Sequence, residues 1–307
     1  MGYFYGPVYS RRLGFSLGAD IIQKNICSFD CLYCQLGKTI KKTNHRFSKV
    51  DQGKLIEELR QRLSEKPKID FITISGSGEP TLCGDIGKVI KLIKKVSKRP
   101  VCVITNSSLL NKKSVRNQLL SADLIIPSLD APSADIFRKI NRPHTGISFN
   151  EIIQGLIKLR QEFKGKIWLE VMLLKGVNDK KSDFINFKNI IDSIAPDKIH
   201  LNTPVRPTPC VRKNLMPSPD KILLFKSILG QRAMSIISRK IIKNVDKAIS
   251  DKAIIDSLKR RPQTIVDLAV SLQIRTSNLK KRMQKLLLDG KIQANVQNRK
   301  KYFLVRK

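Results

Sequence analysis

The chain alternates short, β-branched apolar runs with longer amphipathic segments, and this alternation limits the fold more than any other feature. Apolar residues that recur every three to four positions indicate helices, whereas short continuous apolar runs indicate buried strands. The predicted strands are residues 17–23, 69–75, 101–105, 123–128, 166–174 and 198–202. The predicted helices are residues 53–63, 85–98, 112–120, 150–162 and 182–194. This repeated βα pattern favours a parallel sheet, either open and doubly wound or curved into a partial barrel.

The chain has a large excess of positive charge, because it contains 59 lysines and arginines and only 25 aspartates and glutamates, which gives a net charge of +34. Such an excess favours an anionic partner, with nucleic acid first. The alternative is a lysine-rich composition in which the lysines form solvated helix faces. No apolar run approaches the roughly 20 residues of a membrane span, and residues 1–10 lack the basic and apolar regions of a secretory signal. A cytoplasmic protein that does not cross a membrane is therefore expected.

Three of the six cysteines are crowded together, since Cys27, Cys31 and Cys34 follow the first predicted strand with C-x3-C-x2-C spacing. Loops after the strands of a parallel sheet are where ligands bind. Thiolates are soft ligands suited to zinc or to iron–sulfur centres. A structural zinc site normally has four ligands, and no fourth cysteine or histidine stands near, His45 being eleven residues further on. An incomplete set of ligands leaves a coordination position for a substrate or cofactor, which indicates a reactive centre.

The segment CSFDCLYC resembles the cluster motif of the radical S-adenosylmethionine (SAM) superfamily, with Tyr33 as the aromatic residue before the last cysteine. Enzymes of this superfamily have a partial (β/α)6 TIM-like barrel whose cluster loop follows the first strand, and the predicted units fit that fold. The segments GPVYSRRLGFSLGADI, GSGEPTL, TNSSLL and SLDA further resemble a subgroup of Fe–S oxidoreductases related to the wybutosine-synthesis enzymes that act on tRNA. The resemblance covers residues 6–205.

This resemblance implies two cofactors: a 4Fe–4S cluster held by Cys27, Cys31 and Cys34, and SAM, whose amino and carboxylate groups chelate the fourth iron. One electron donated into the sulfonium then yields methionine and a 5′-deoxyadenosyl radical that abstracts hydrogen from a substrate. An electron donor such as flavodoxin or ferredoxin is implied as a partner. The residues that the resemblance assigns to SAM are Tyr33, Gly76, Gly78, Glu79, Thr105, Asn106, Ser128 and Asp130.

Each of these assignments has a structural alternative. Glu79 suits the ammonium group of SAM and Gly78 allows the backbone to approach closely, but the same segment could be an ordinary βα turn. Asn106 and Asp130 suit ribose hydroxyls, although polar residues after strands also cap helices. The main-chain carbonyl of Tyr33 is the implied adenine contact. Residues 10–14 either touch substrate or only close the mouth of the barrel.

The remaining cysteines and histidines say less about function. Cys102 lies in a predicted buried strand and is expected to be a small core residue, and Cys83 lies near the site without partners. Cys210 is a candidate thiol on the substrate side. His144 and His200 are expected to be hydrogen-bonded structural histidines rather than acids. No catalytic residue is predicted.

The regular alternation ends at a proline-rich segment, which predicts a barrel at residues 1–205, a linker with a helical extension at 206–249 and a basic module at 250–307. Three short helices and a hairpin in the module resemble a winged helix. The predicted elements of the module are residues 253–260, 265–271, 275–289, 291–296 and 301–305. Residues 251–307 carry 15 lysines and arginines against four acidic residues.

The third helix of this module offers cations beside an apolar stripe. Lys280, Lys281, Arg282 and Lys285 are its basic residues, and the hairpin tip at residues 298–301 is basic too. Such a surface suits a phosphate backbone, with little preference for sequence. The alternative is a module that docks a protein or is purely structural.

Three functional hypotheses follow. The leading one is a radical SAM enzyme whose substrate is RNA, tRNA included, or another polyanion. The second is an iron–sulfur regulator that binds nucleic acid without turnover, which would not need Gly78, Glu79 and Asp130. The third is radical modification of a protein or peptide docked by the module. The reaction after hydrogen abstraction does not follow from the sequence.

Overall fold

A computed structural model of the chain describes residues 2–22, 24–205, 208, 214–235, 250–260, 262–272, 274–297 and 300–306. The strands are β1 Phe4–Ser10, β2 Gly14–Ala19, β3 Ile26–Cys27, β4 Lys41–Lys42, β5 Phe71–Ile74, β6 Val101–Thr105, β7 Leu124–Pro127, β8 Lys166–Met172, β9 Lys198–Asn202, β10 Ala233–Ser235, β11 Ile292–Gln297 and β12 Lys300–Val305. The helices are α1 Gln52–Ser64, α2 Ile86–Val96, α3 Lys113–Leu119, α4 Ala134–Asn141, α5 Phe149–Glu162, α6 Lys181–Ile194, α7 Pro219–Leu229, α8 Asp251–Arg260, α9 Ile265–Leu272 and α10 Thr276–Leu288. A 3₁₀ helix, Pro80–Leu82, follows β5.

One sheet of eight strands carries the larger part of the chain, in the order β1-β2-β5-β6-β7-β8-β9-β10. Every neighbouring pair is parallel except β1 and β2, which form an antiparallel hairpin. The order begins at β1 and ends at β10, so the sheet does not close into a complete barrel within the described residues. Parallel neighbours need a crossover connection, and the helices of the predicted βα units supply it.

The two faces of this sheet are covered differently, which favours a partial barrel over an open, doubly wound sheet. Outward side chains of the strands, such as Val103 and Leu169, join the helices in one large core. On the opposite face, Cys102, Leu124 and Ile126 cluster with Leu13 from the β1–β2 turn, and no helix contributes to this smaller cluster among the described residues. A sheet that curves around its own inner face produces this arrangement.

Local sequence explains why the helices dock as they do. In α2, the apolar stripe of Ile86, Val89, Ile90 and Ile93 is completely buried against the sheet. Burial of each such side chain stabilises the fold by about 1.5–3 kcal/mol. Ser148 begins α5 with a capping box, in which its hydroxyl accepts from the backbone N–H of the residue three positions on.

Most predicted elements are confirmed to within a few residues, whereas β1, the two-residue strands β3 and β4, α4 and β10 were missed. The expected first strand at residues 17–23 is β2, which starts earlier. β1 was not predicted because Gly6 and Pro7 interrupt its apolar pattern. The short helix α4 directly follows Pro132 and Ser133, and β10 has only three residues, so neither gives a clear periodic signal.

The main core extends beyond residue 205, into the segment expected to be a linker. Ile222, Phe225 and Leu229 of α7 and Ala233 of β10 all belong to it. β10 also pairs in parallel with β9, which adds a strand to the sheet. The sheet therefore reaches Ser235, and the predicted boundary at residue 205 is too early for its last strand and helix.

Residues 250–306 have a separate core, built by α8, α9, α10 and the antiparallel hairpin β11–β12. Leu279, Met283 and Leu286 are the buried residues of α10. The Tyr302 hydroxyl donates to the backbone carbonyl of Val205, which joins this unit to the end of the barrel. In the described part of the chain no helix is both long enough and apolar enough to span a bilayer.

Candidate functional site

The loop of the three cysteines is closed at its base by a short pair of parallel strands. β3 ends at Cys27 and pairs with β4, so the chain between them forms one loop that contains Cys31 and Cys34. Asn25 fastens this loop, because its side-chain amide donates to two backbone carbonyls of the loop, 3.3 and 3.1 Å away. Its φ of 60° lies in the left-handed region, which asparagine tolerates better than most residues.

Two asparagines from neighbouring elements reach the cysteine sulfurs. Asn106, after β6, donates its amide to Cys27 Sγ over 3.5 Å, and Asn141, at the end of α4, donates to Cys31 Sγ over 3.5 Å. The Cys34 N–H donates to the Cys31 carbonyl at 3.1 Å. Donors of this kind stabilise negative charge on sulfur and tune iron–sulfur centres. The loop is therefore tied to β6 and to α4 at the sulfur atoms themselves.

The pKa values of Cys27 and Cys31 indicate that their thiolates need a nearby positive charge. Burial, with a smaller contribution from the nearby Glu79 carboxylate, raises the pKa of Cys27 to about 12. Burial, with smaller contributions from Cys27 and Asp130, raises the pKa of Cys31 well above its ordinary value. Thiolates are unfavourable here without a compensating positive charge, and iron ions would supply it.

The donor set of the cysteine loop bears on whether it would hold a cluster or a single ion. In the part of the chain that the structure describes, no three His, Cys, Asp or Glu side chains converge on a point that one metal ion could occupy. The ligands of a 4Fe–4S cluster bind separate irons, so they stand further apart than the ligands of one tetrahedral ion. The donor set of Cys27, Cys31 and Cys34 fits an iron–sulfur cluster better than a closed zinc site.

Glu79 lies at the carboxyl end of β5 and is almost completely buried. One of its carboxylate oxygens accepts from the Thr81 N–H at 3.0 Å, the Thr81 hydroxyl at 2.6 Å and the Thr105 hydroxyl at 2.6 Å. The other accepts from the Asn106 N–H at 2.7 Å. Burial raises the pKa of Glu79, and these hydrogen bonds oppose the rise. Glu79 thus holds the backbone of the residue whose amide contacts Cys27.

The two glycines of the predicted SAM motif allow close packing inside the protein. A Cβ on Gly78 would lie 2.0 Å from the Ile26 carbonyl oxygen, and one on Gly76 would lie 2.4 Å from the Asp20 carboxylate. These close approaches are to β3 and to the residue after β2, and the predicted approach of this backbone to SAM stays a prediction. The requirement for glycine is therefore explained by the fit of the β5 loop against the cluster loop.

Asp130 forms a second buried network on the other side of the loop. It accepts from the Tyr33 hydroxyl, from the Asn141 amide at 3.0 Å and from the Met172 N–H at 3.0 Å. Burial raises the pKa of Asp130, and its three donors oppose the rise. Because Asn141 also contacts Cys31, this network joins the carboxyl ends of β7 and β8 to the cysteine loop.

The predicted site residues after β6 and β7 meet at one small void. Asn106, Ser128, Asp130 and Asn141 provide its polar lining, and its volume is about 10 Å³. That is room for roughly one water molecule. Together with the hydrogen bonds of Glu79 to Thr105 and Asn106, this places polar residues after β5, β6 and β7 around the cysteine loop, and their contact with SAM stays a prediction.

The other singled-out residues lie away from this centre or serve the fold. Cys102 is buried in an apolar cluster, as expected for a core residue. Cys83, which was expected near the site, is buried in the main core. The His144 Nδ1 accepts from the Gly146 N–H at 3.2 Å, in keeping with a structural role. Cys210 lies outside the described residues, as do Asn298 and Arg299 of the predicted hairpin tip.

Residues 10–14 lie at the amino end of β2, the end opposite the cysteine loop. Arg12 forms an ion pair with Glu170 of β8, and Arg11 donates to the Asn202 side chain of β9 at 3.4 Å. This turn reaches the inside of the barrel from its base rather than from the mouth.

Comparison with known proteins agrees with this geometry. The sequence profile of the radical SAM superfamily matches residues 21–187, which include the cysteine loop and every predicted SAM contact. A UPF0026 protein of Methanocaldococcus jannaschii is 35% identical over 76% of this chain and 74% of its own length. The chain belongs to the radical SAM superfamily and to the UPF0026 proteins. Enzymes of this superfamily bind a 4Fe–4S cluster and SAM, and the three cysteines of the loop are a donor set that fits the cluster.

Two further comparisons bear on fold and length. A radical SAM methyltransferase from Sphaerobacter thermophilus aligns with a TM-score of 0.56 at 18% identity, over 72% of this chain and 65% of that one, which supports the partial barrel. A protein of Brachyspira hyodysenteriae named GTPase Obg is 39% identical over 96% of this chain. The chain spans only 44% of that relative's length.

Asn141 is the residue of this radical SAM site that sequence reasoning missed. It contacts both a cluster cysteine and Asp130, yet it is the last residue of α4, a helix that was not predicted. The available signal was a polar residue just before the Arg142-Pro143 pair, a position where helices usually end. Ser28 and Ser108 were missed too, and their hydroxyls hydrogen-bond at 2.6 Å beside Cys27.

Proposed function

We propose that this protein cleaves SAM reductively at a 4Fe–4S cluster and uses the product to abstract hydrogen from a substrate. The observation that carries the proposal is the pair of asparagines that connect Cys27 and Cys31 to the buried carboxylates of Glu79 and Asp130. When bound, the cluster and SAM together supply a 5′-deoxyadenosyl radical. The protein supplies binding, orientation and exclusion of water.

The roles of the residues follow from their contacts. Cys27, Cys31 and Cys34 would hold the cluster, and their loop leaves the position beside it for SAM. Glu79 keeps the Asn106 backbone in place, so its removal would disturb the cluster side as well as the SAM side.

On the opposite side of the loop, Tyr33 is fixed through its hydroxyl on Asp130. That anchor sets the position of the Tyr33 main-chain carbonyl, which the family resemblance assigns to adenine. Ser128 and Asp130 would face the ribose. Each of these contacts belongs to the proposal.

The test of this function is anaerobic reconstitution with iron and sulfide, followed by dithionite and SAM. The expected result is 5′-deoxyadenosine and methionine in equal amounts. A protein that carries a full cluster, binds SAM and still forms no 5′-deoxyadenosine would overturn the proposal. It would leave an iron–sulfur regulator of nucleic acid as the better explanation.

The proposal extends to the substrate, which would be RNA, tRNA included. A C-terminal winged helix would bind this RNA. In support, Lys280, Lys281, Arg282 and Lys285 of α10 are all exposed while the opposite side of the helix is buried. The backbone of Gln263, between α8 and α9, also pairs with Phe303 of β12, which fastens the hairpin to the helices. A cationic helix on a rigid hairpin-and-helix unit suits a phosphate backbone.

Binding of a tRNA transcript at several salt concentrations tests this extension. A Lys280→Ala/Lys281→Ala variant should bind several-fold more weakly and lower the salt dependence by about two units of slope. The matched control is Lys91→Ala/Lys95→Ala on α2, whose lysines are equally exposed on the outside of the barrel. Equal losses in both variants would mean that α10 is no special RNA surface, and peptide substrates would then be favoured.

The proposal also includes a cytoplasmic location and reduction of the cluster by an acidic flavodoxin or ferredoxin. Lys38, Lys41, Lys42 and Arg142 are exposed along the cysteine loop. A positive surface at this place attracts a negatively charged electron carrier and speeds its association. Reduction by flavodoxin that slows steeply with added salt would support this partner, and salt-independent reduction would argue against it.

A further inference from the structure

The two faces of β8 and β9 have opposite chemical character. Side chains that point outward, such as Leu169 and Ile199, are completely buried in the main core. The alternate residues face the inside of the barrel and are polar, charged or amphipathic: Trp168, Glu170, Lys198, His200 and Asn202. Strands of a parallel sheet that is covered on both faces are normally apolar throughout. A polar inner face therefore needs an explanation beyond packing.

Strand register aligns this inner face with the radical SAM site. Glu170 lies opposite His200 in β9, and on its other side it forms a bridge with Ser128, a predicted SAM contact. Two residues further along β8, Met172 belongs to a small buried cluster against which Tyr33 of the cysteine loop packs. Two residues of a strand span about 7 Å, so Glu170 lies roughly that far along the strand from the level of the loop.

Positive charge exceeds negative charge on this face. Arg12 enters from the β1–β2 turn and pairs with Glu170, and Arg11 from the same turn reaches Asn202. The Lys198 ammonium lies 4.6 Å from the centroid of the Trp168 ring. Among the described residues of β8, β9 and this turn that face inward, three cations accompany one carboxylate, and an anion would restore the balance.

Two buried nitrogen atoms on this face lack hydrogen-bond partners. Within the described residues, neither Trp168 Nε1 nor His200 Nδ1 has one, although the two rings touch edge to face with centroids 5.3 Å apart. His200 is only 4% exposed. Buried polar atoms are nearly always paired, and those that are not commonly await a water or ligand. The indole N–H can only donate, so the missing group must accept.

We propose that Arg12, Trp168, Lys198 and His200 form a substrate subsite that binds an oxyanion, either a carboxylate or a phosphate. The subsite adds a substrate group to the proposed function. It rests on that function in one respect, namely that the bound anion belongs to the substrate. The carboxylate of SAM is expected at the cluster, which leaves this deeper position to another molecule. A guanidinium group suits the planar, two-oxygen geometry of both oxyanions.

The sequence contains a single tryptophan, and it lies in this subsite, so tryptophan fluorescence reports on the subsite alone. The cluster-loaded full chain is titrated anaerobically with sodium phosphate, and separately with sodium malonate, against sodium chloride at equal ionic strength. The expected result is a saturable change with phosphate or malonate and none with chloride. The more tightly bound anion identifies which oxyanion the substrate carries.

The matched variants are Arg12→Gln and Arg60→Gln, the latter on the exposed side of α1. Loss of a charge-assisted contact should raise the dissociation constant about tenfold or more in Arg12→Gln and leave it unchanged in Arg60→Gln. If Arg12→Gln does not fold, Lys198→Gln provides the same comparison. No saturable change with either anion, or equal affinity in the Arg12 or Lys198 variant and the control, would overturn the subsite.

Failure of the subsite and failure of the proposed function give different results. A wild-type protein that forms 5′-deoxyadenosine but binds neither anion keeps its function and has no oxyanion subsite. A protein that binds an anion through Arg12 and never cleaves SAM keeps the subsite and loses the proposed function. Added SAM should not displace the anion; competition between them would assign the subsite to the SAM carboxylate and overturn the proposal.

Discussion

The carboxyl end of the barrel and its inner face differ in how completely the protein satisfies its own polar groups. At the carboxyl end, Glu79 accepts four hydrogen bonds and Asp130 accepts three, all from described residues. On the inner face, Trp168 and His200 each keep a nitrogen without a partner among the described residues, and the described cations outnumber the described carboxylates. The first region is organised in advance and the second is incomplete by itself.

This difference separates two kinds of ligand. A cofactor that is the same in every turnover is best met by a rigid and fully bonded frame, because little has to reorganise when it binds. A group that arrives with each substrate must find donors that are not already occupied. Under the proposed function, SAM would bind at the fully bonded carboxyl end and the substrate anion at the incomplete inner face.

The largest expected effect is the loss of the cluster, and it tests whether the carboxyl end and the inner face act independently. Cys31→Ala should abolish cluster assembly and 5′-deoxyadenosine formation, while binding of anions to the inner face persists. Iron content, product analysis and tryptophan fluorescence measure the three quantities. Cys102→Ala is the control, because Cys102 is a buried cysteine outside the loop, in the small inner cluster. Loss of anion binding in Cys31→Ala, with the fold intact, would mean that the two regions are not independent.

The pH dependence of stability tests the inner face. Burial, with smaller contributions from Arg12 and Lys198, lowers the pKa of His200 from its ordinary value of 6.5 to about 4. The Glu170 carboxylate beside it is engaged by Arg12. A histidine with a lowered pKa contributes stability that is present above pH 6.5 and is lost as pH falls toward 4. The full contribution is about 3 kcal/mol.

Urea unfolding of wild type and His200→Gln across pH 7 to 4 measures this contribution. The wild type should lose more stability than the variant over that window. Parallel curves would show that His200 has no lowered pKa and is not buried among cations.

A smaller effect is expected from Asn141→Ala at the carboxyl end. The substitution removes donors to Cys31 and Asp130 and leaves a buried carboxylate with fewer partners, which destabilises the fold by about 1–3 kcal/mol. The cluster should also be lost faster to a chelator. Asn189→Ala, at an exposed position of α6, is the control. If the Asn141 variant is as stable and as resistant to chelation as this control, the hydrogen bonds at the carboxyl end do not organise the cluster loop, and the contrast with the inner face is lost.

The smallest expected effect has the opposite sign. Glu170→Gln removes the one carboxylate among the cations, so the oxyanion should bind about fivefold more tightly, a change on the order of 1 kcal/mol. Fluorescence titration measures it, and Glu57→Gln on the exposed side of α1 is the control. Weaker binding in Glu170→Gln would mean that Glu170 contacts the ligand directly rather than competing with it.

Much of the fold could be predicted because its elements carry strong local signals. The stripe of α2 and the limits of β6 and β9 are confirmed. β1 and α4 were missed because Gly6, Pro7 and Pro132 hide the pattern around them. β10 is defined by its pairing with β9 rather than by its own residues, and pairing between distant segments leaves no trace in a local pattern.

The candidate site also has a part that could be predicted from the sequence and a part that could not. The cluster cysteines and the residues after β5, β6 and β7 could be predicted from spacing and family resemblance. The inner face could not, although the alternation of Trp168 and Glu170 with apolar neighbours was visible in the sequence. His200 was interpreted as structural because only strand register places it beside Glu170. That register depends on the whole sheet.

The hairpin turn that carries Arg11 and Arg12 also has a mechanical consequence. Three strands lie between β2 and β8 in the sheet, so the Arg12–Glu170 ion pair links the β1–β2 turn to a strand on the opposite side of the barrel. The hydrogen bond between Arg11 and Asn202 provides a second link, to β9. An anion that draws Arg12 away from Glu170 would remove one of these links, so the width of the barrel would depend on whether its interior is occupied.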